Sequence, residues 1–139
     1  MRHWLVKSEP DAFSWDQQVA NGVEPWTGVR NATAARNLRE MALGDQAFFY
    51  HSNIGKEVVG IVELIAEAHP DSTADDAKWE CVDLKAVEPL PAPVTLARIK
   101  DDARLAEMVL VKNSRLSVQP VTAGEWDIVL KLARDEGKD

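Results

Sequence analysis

Residues 46–70, QAFFYHSNIGKEVVGIVELIAEAHP, constrain the fold more than any other stretch. QAFFYHS and VVGIVELIAEAHP are rich in β-branched and aromatic residues, and NIGK between them supplies Asn and Gly where a tight connection tolerates positive φ. The segment therefore predicts an antiparallel hairpin. Three further segments read as strands. RHWLVKSEP begins one at Trp4, Leu5 and Val6 and stops at Pro10, which lacks the amide a ladder needs. WECVDLKAVEPL alternates, with Trp79, Cys81, Asp83 and Lys85 on one face and Val82, Leu84 and Val87 mostly on the other, and the proline cluster EPLPAP predicts its end. SRLSVQPV predicts a last strand, with Arg115, Ser117 and Gln119 opposed to Leu116 and Val118.

Helix signals fall between these strands. Ser14 followed by Gln17 is a capping-box pattern that opens WDQQVAN, with Gly22 as its stop. Asn31 caps ATAARNLREM and puts Ala34, Leu38 and Met41 on an inward stripe. TLARIKDDARLAEMVL predicts one or two short helices from near Thr95, and Thr122 with Glu125 opens AGEWDIVLKLAR. Strands with helices inserted irregularly predict an α+β fold around a mixed, strongly curved sheet or small barrel. In 139 residues this means one domain over 1–134, with a frayed tail at 135–139.

No basic-then-apolar leader opens the chain, and Glu63 interrupts its longest apolar stretch, so a cytoplasmic protein without a membrane segment, and a monomer, is expected. The lone Cys81 reads as a small core residue. The three histidines lack metal-site spacing, and no nucleotide-binding or nucleophile motif is present, so no metal and no cofactor are expected. The net charge of −7 argues against a broad track along phosphates. Its distribution is uneven: −1 over residues 1–60, −6 over 61–90, +2 over 91–120 and −2 over 121–139. What lies outside the acidic segment leaves room for a small cationic patch able to hold one or a few phosphates.

Four short segments at strand ends or in loops carry polar and aromatic groups where a scaffold displays binding residues. They are KSEP (Lys7, Ser8, Glu9), WTGVRN (Trp26, Thr27, Gly28, Val29, Arg30, Asn31), FYHSN (Tyr50, His51, Ser52) and SRLSVQP (Arg115, Ser117). Trp26 reads either as a stacking wall for a flat ring or as a core residue pinning its loop, and Trp79 is a second candidate wall. Gly28 leaves room for close approach of a backbone or ligand. Arg30 pairs with a phosphate or with a neighbouring carboxylate. Asn31 binds a base edge or only caps its helix, and anions are favoured at that helix start. Glu9 and Asp83 offer the acceptor that suits the exocyclic amine of cytosine, and Arg115 offers a phosphate contact or a surface ion pair. Glu9 with Lys7 is also the best acid/base pair the chain offers.

These segments carry a resemblance. HWLVKSEPDAFSW, W.GVRN..A..NLR.M..GD..FFYHSN, VVGI.E and SRLSVQPVT..EW resemble the EVE-domain family of the PUA-like superfamily from residue 3 to about 130. The resemblance implies a small curved β-barrel surrounded by helices and a pocket for a modified nucleobase, with modified cytosine in DNA as the ligand proposed for the family. The chain is more distantly similar to YTH domains, which read N6-methyladenine in RNA. In that comparison LVKSE occupies the base-reading strand, Trp26 matches a cage wall and Arg115 lies in the phosphate-holding segment, while Asp83 stands where a second cage tryptophan is expected. The resemblance thus implies a non-catalytic module for modified DNA or RNA. The alternatives are an amidohydrolase acting on an acylated cytosine nucleoside, as occurs elsewhere among PUA-like domains, and a protein-interaction module.

Overall fold

The computed structural model describes residues 1–136. Its strands are β1 (His3–Ser8), β2 (Val23–Pro25), β3 (Gln46–His51), β4 (Glu57–Pro70), β5 (Glu80–Thr95) and β6 (Val118–Val121). They form one sheet in the order β2-β5-β4-β3-β1-β6. β1 runs parallel to β3, and every other pairing is antiparallel. The helices are α1 (Trp15–Asn21), α2 (Ala32–Glu40), α3 (Leu96–Lys100), α4 (Val109–Lys112) and α5 (Ala123–Glu136), with a 3-10 turn at Ala103–Leu105. The architecture is α+β around a curved mixed sheet, and the hairpin is β3 with β4. No helix among the described residues is long and apolar enough to cross a membrane.

Side-chain caps start α1, α2, α3 and α5 as expected, while α4 follows Met108 without one. Ser14 and Gln17 close a reciprocal box at α1, the Asn31 side chain accepts from the amide of Ala34, and Thr122 and Glu125 exchange two hydrogen bonds ahead of α5. α5 continues through Glu136, so the expected tail is helical at 135 and 136, and residues 137–139 lie outside the described residues.

Alternation along the strands gives the sheet two apolar faces. Trp4, Val6, Phe49, Val62, Leu64, Val82, Leu84 and Val118 point inward against α2 and the indoles of Trp15 and Trp26. Leu5, Phe48, Tyr50, Val58, Ile61 and Val94 point to the other side, where the C-terminal helices cover them. Register shifts recur along β4 and β5 and once in the β3–β4 pair, and such bulges bend and twist a sheet. The bent sheet brings its terminal strands β2 and β6 to flank one opening. α2 packs between β5 and β6 there, fixed by a buried hydrogen bond from Asn37 Nδ2 to the carbonyl of Val118 at 2.7 Å.

Three expectations need correction. The prolines do not end β5, which continues to Thr95: Pro89, Pro91 and Pro93 fall at alternate positions, beyond Lys85, the last residue of β5 that registers with β2, where missing amides leave no partner unsatisfied. SRLSVQPV is a strand only from Val118. Before that the Arg115 amide donates to Asn113 Oδ1 and Gln119 Nε2 folds back onto the carbonyls of Asn113 and Leu116, which holds the segment in a turn. Trp79 precedes β5 rather than lying in it, and β2, too short for a pattern, was not expected.

Candidate functional site

A cavity of about 420 Å³ opens between the two edges of the sheet. β1 contributes Lys7 and Ser8 and β2 contributes Glu24 and Pro25. The following loop gives Trp26 through Asn31, and Ser117 enters from just before β6. Ala12 and Phe13 complete the wall. Nine expected residues are thereby brought together: Lys7, Ser8, Trp26, Thr27, Gly28, Val29, Arg30, Asn31 and Ser117. The size suits one small planar ligand, and the lining mixes apolar surface with a few polar groups, as binding cavities do.

Trp26 is a core residue that also borders the cavity. Its indole is 8% exposed and packs edge-on against Phe49 (5.5 Å between centroids, 84°) and Phe13 (6.0 Å, 78°), yet it lines the cavity. A hydrogen bond from its amide to the carbonyl of Val82 at 2.7 Å ties the loop to β5. Gly28 has φ of +86°, and no atom lies within 4 Å of where a Cβ would stand, so backbone conformation requires glycine there, not crowding.

The loop is held by a buried carboxylate. Asp71, at the end of β4, has no exposed side-chain surface and accepts from the amide of Gly28 (2.8 Å), Arg30 Nη1 (3.0 Å), and the amide (2.7 Å) and hydroxyl (2.6 Å) of Thr73. Burial opposes its charge, but the hydrogen bonds from Thr73, Gly28 and Arg30 prevail and hold the carboxyl well below the usual range. Arg30 therefore takes the carboxylate reading, and its guanidinium also lies 5.9 Å from the Trp79 ring centroid. Lys7 is half-buried, and burial lowers its pKa. Its ammonium donates to the carbonyl of Ser114 at 2.7 Å and sits 5.7 Å from the ring centroid of Tyr50.

The remaining expected residues lie outside the cavity. Glu9 is exposed and accepts from Asn53 Nδ2 at 2.8 Å. Asp83 pairs with His69 at 2.9 Å. His51 Nε2 accepts the amide of Trp15 at 3.0 Å and so caps α1, and burial lowers its pKa. Tyr50 belongs to the outer core, where burial, then Glu57, pushes its hydroxyl up to about 12. Ser52 pairs by its amide with the carbonyl of Ser8. Trp79 flanks Arg30 without reaching the cavity, and Arg115 is exposed in its turn. The carboxylate that does line the cavity is Glu24, in the same EPWTG stretch as Trp26, and adjacency to that indole was the signal that could have found it. Phe13 was findable too, as the apolar residue ahead of a helix cap.

Sequence spacing also conceals a cluster of metal-ligating types. Antiparallel register pairs His69 of β4 with Cys81 of β5, and with Asp83 their ligand atoms lie within 4.8 Å of one another. Burial, then Asp71, Asp83 and Glu80, pushes the Cys81 thiol up to about 11, so in the absence of a cation it stays protonated. His69 is already engaged by Asp83.

The EVE domain model matches residues 2–132. A solution structure of a Rhodopseudomonas palustris protein is 58% identical, with a TM-score of 0.92, over 96% of this chain and 94% of that one. Human thymocyte nuclear protein 1, solved in complex with DNA containing 5-methylcytosine, is 35% identical with a TM-score of 0.90, over 96% of this chain and 98% of that one. A YTH domain from Zygosaccharomyces rouxii shares 18% identity, with a TM-score of 0.61, over 95% of this chain and 86% of that one, and shows likeness of fold alone.

Proposed function

Because the chain belongs to the EVE-domain family, we propose that it is a non-catalytic reader of a modified nucleobase, of the modified-cytosine class, in nucleic acid. The observation that carries this reading is the cavity beside Trp26, in a chain similar over nearly its whole length to a protein solved with 5-methylcytosine DNA. A base extruded from its strand enters the cavity and meets the exposed part of the Trp26 ring. Extrusion costs a few kcal/mol, and stacking on an aromatic returns about 1–3 kcal/mol. Glu24 accepts from the exocyclic amine of cytosine, a role that suits it better than Glu9 and Asp83, which do not line the cavity. Thr27, Asn31 and Ser117 supply further polar contacts around the base, and Lys7 the cation nearest its phosphate. Arg30 acts indirectly, by holding the loop through Asp71.

Catalysis has less support. His51, the histidine of the FYHSN segment, is committed to α1, and the Lys7/Glu9 acid/base pair is split because Glu9 lies outside the cavity. Fluorescence anisotropy with labelled oligonucleotides that differ only in one 5-methylcytosine tests the reading. Tighter binding of the modified strand is expected, and Glu24→Ala should weaken binding of both strands, since the amine it accepts from is common to cytosine and 5-methylcytosine. Equal binding of both strands, or none, overturns it. Modified nucleosides incubated with the protein should return unchanged by mass spectrometry, and conversion of any would move the chain to the enzyme class.

A further inference from the structure

The cavity is not isolated. Lys7 forms part of its wall and also part of the wall of a second hollow of about 300 Å³, shared with Tyr50, Ser52, Asn53, Lys56 and Lys100. Lys56 and Lys100 in turn border a third hollow over Thr95 and Ala97. The three hollows therefore adjoin in a row, the first meeting the second at Lys7 and the second meeting the third at Lys56 and Lys100.

Three lysines line the middle hollow on a protein of net charge −7. Lys56 and Lys100 have no carboxylate partner among the described residues, and the nearby Glu9 and Glu57 do not line the hollow. The placement of Lys56 is conformationally unusual. It has φ of +49° in a turn that also holds Asn53 at +66° and Gly55 at +87°. Positive φ is common for Asn and Gly and uncommon for lysine, so the backbone alone gives no reason for this residue. Its carbonyl accepts from the amide of Leu96 at 2.8 Å, which fixes the turn against the start of α3 and brings Lys56 and Lys100 to the same hollow.

We infer that the strand whose base occupies the Trp26 cavity passes over Lys7 and lays its flanking phosphates against Lys56 and Lys100. This rests on the reading of the cavity as a base pocket. It requires a phosphodiester backbone and is indifferent to DNA or RNA, since the hollow offers cations and small polar groups, not base edges.

The test compares wild type with Lys56→Gly/Lys100→Ala, using single-stranded oligonucleotides with and without one 5-methylcytosine and, separately, the free 5-methylcytosine nucleoside, over a range of salt. Glycine removes the cation and suits the positive φ, so thermal stability should hold or rise. The variant should bind the oligonucleotide about tenfold or more weakly at low salt. The slope of log affinity against log salt should become shallower by about 1.4, which is about 0.7 for each single-strand phosphate no longer neutralised. Nucleoside affinity should not change, and Lys56→Arg/Lys100→Arg should restore the slope. Unchanged oligonucleotide affinity and slope, in a protein that still prefers the methylated strand, would overturn the track and leave the pocket standing. Failure of the wild type to prefer the methylated strand would overturn the pocket and the track with it.

Discussion

Trp26 serves as wall and as core at once, and this decides how it can be tested. Replacement by alanine would remove the edge contacts to Phe49 and Phe13 and cost about 3–5 kcal/mol of stability, enough to confound any binding result. Trp26→Phe keeps an aromatic ring in the core. It should weaken binding of the modified strand several-fold while thermal denaturation shows a smaller loss of stability. Asp71 makes a second residue-scale prediction. Its carboxyl is depressed in the folded state, so its stabilisation is complete above the unfolded value near pH 4 and is lost as pH falls below that. Asp71→Asn should destabilise the protein by about 2–3 kcal/mol at neutral pH and flatten the decline in stability below about pH 4, both readable by denaturant titration. The residues legible in sequence were those whose role is local: Asn31 caps the helix that follows it, and Trp26, Gly28 and Lys7 stand in loops or at strand ends. The engagement of Glu9 and Asp83 outside the cavity was not legible, because their partners, Asn53 and His69, lie 44 and 14 residues away and answer the carboxylates from other strands or turns.

Helices were more legible than strand limits. A cap and its first turn are a few adjacent residues, so Ser14, Asn31, Thr95 and Thr122 announce their helices without help from the rest of the chain. A strand ends where its neighbour ends, and β5 survives its prolines because the β2 side is vacant there, a fact held in strand order rather than in the sequence PLPAP. Gly60 on β4 shows the same dependence. A Cβ there would fall 2.5 Å from the ring of Trp15, an overlap that only a shift of α1 or the strand would relieve. Gly60→Ala should therefore lower stability by about 1–3 kcal/mol in a thermal or denaturant melt, although its own backbone would accept alanine.

At the scale of the molecule, charge is segregated. The acidic excess lies in β4, β5 and the loop between them, while Lys7, Lys56 and Lys100 gather on one track. A track this short saturates early. In a length series around one 5-methylcytosine, affinity should rise with added nucleotides and level off at about four, the lower end of single-strand site sizes, whereas a broadly cationic surface would keep gaining. The curved α+β architecture was legible from irregular alternation of strand and helix signals. The opening was not, because it lies between β2 and β6, strands at opposite ends of the sheet order that share no pairing among the described residues. Those two jaws belong to one continuous ribbon, so its bulges act as the setting screw of a calliper. A relative with an altered bulge in β4 would have an opening of different width while every side chain that lines it stayed the same.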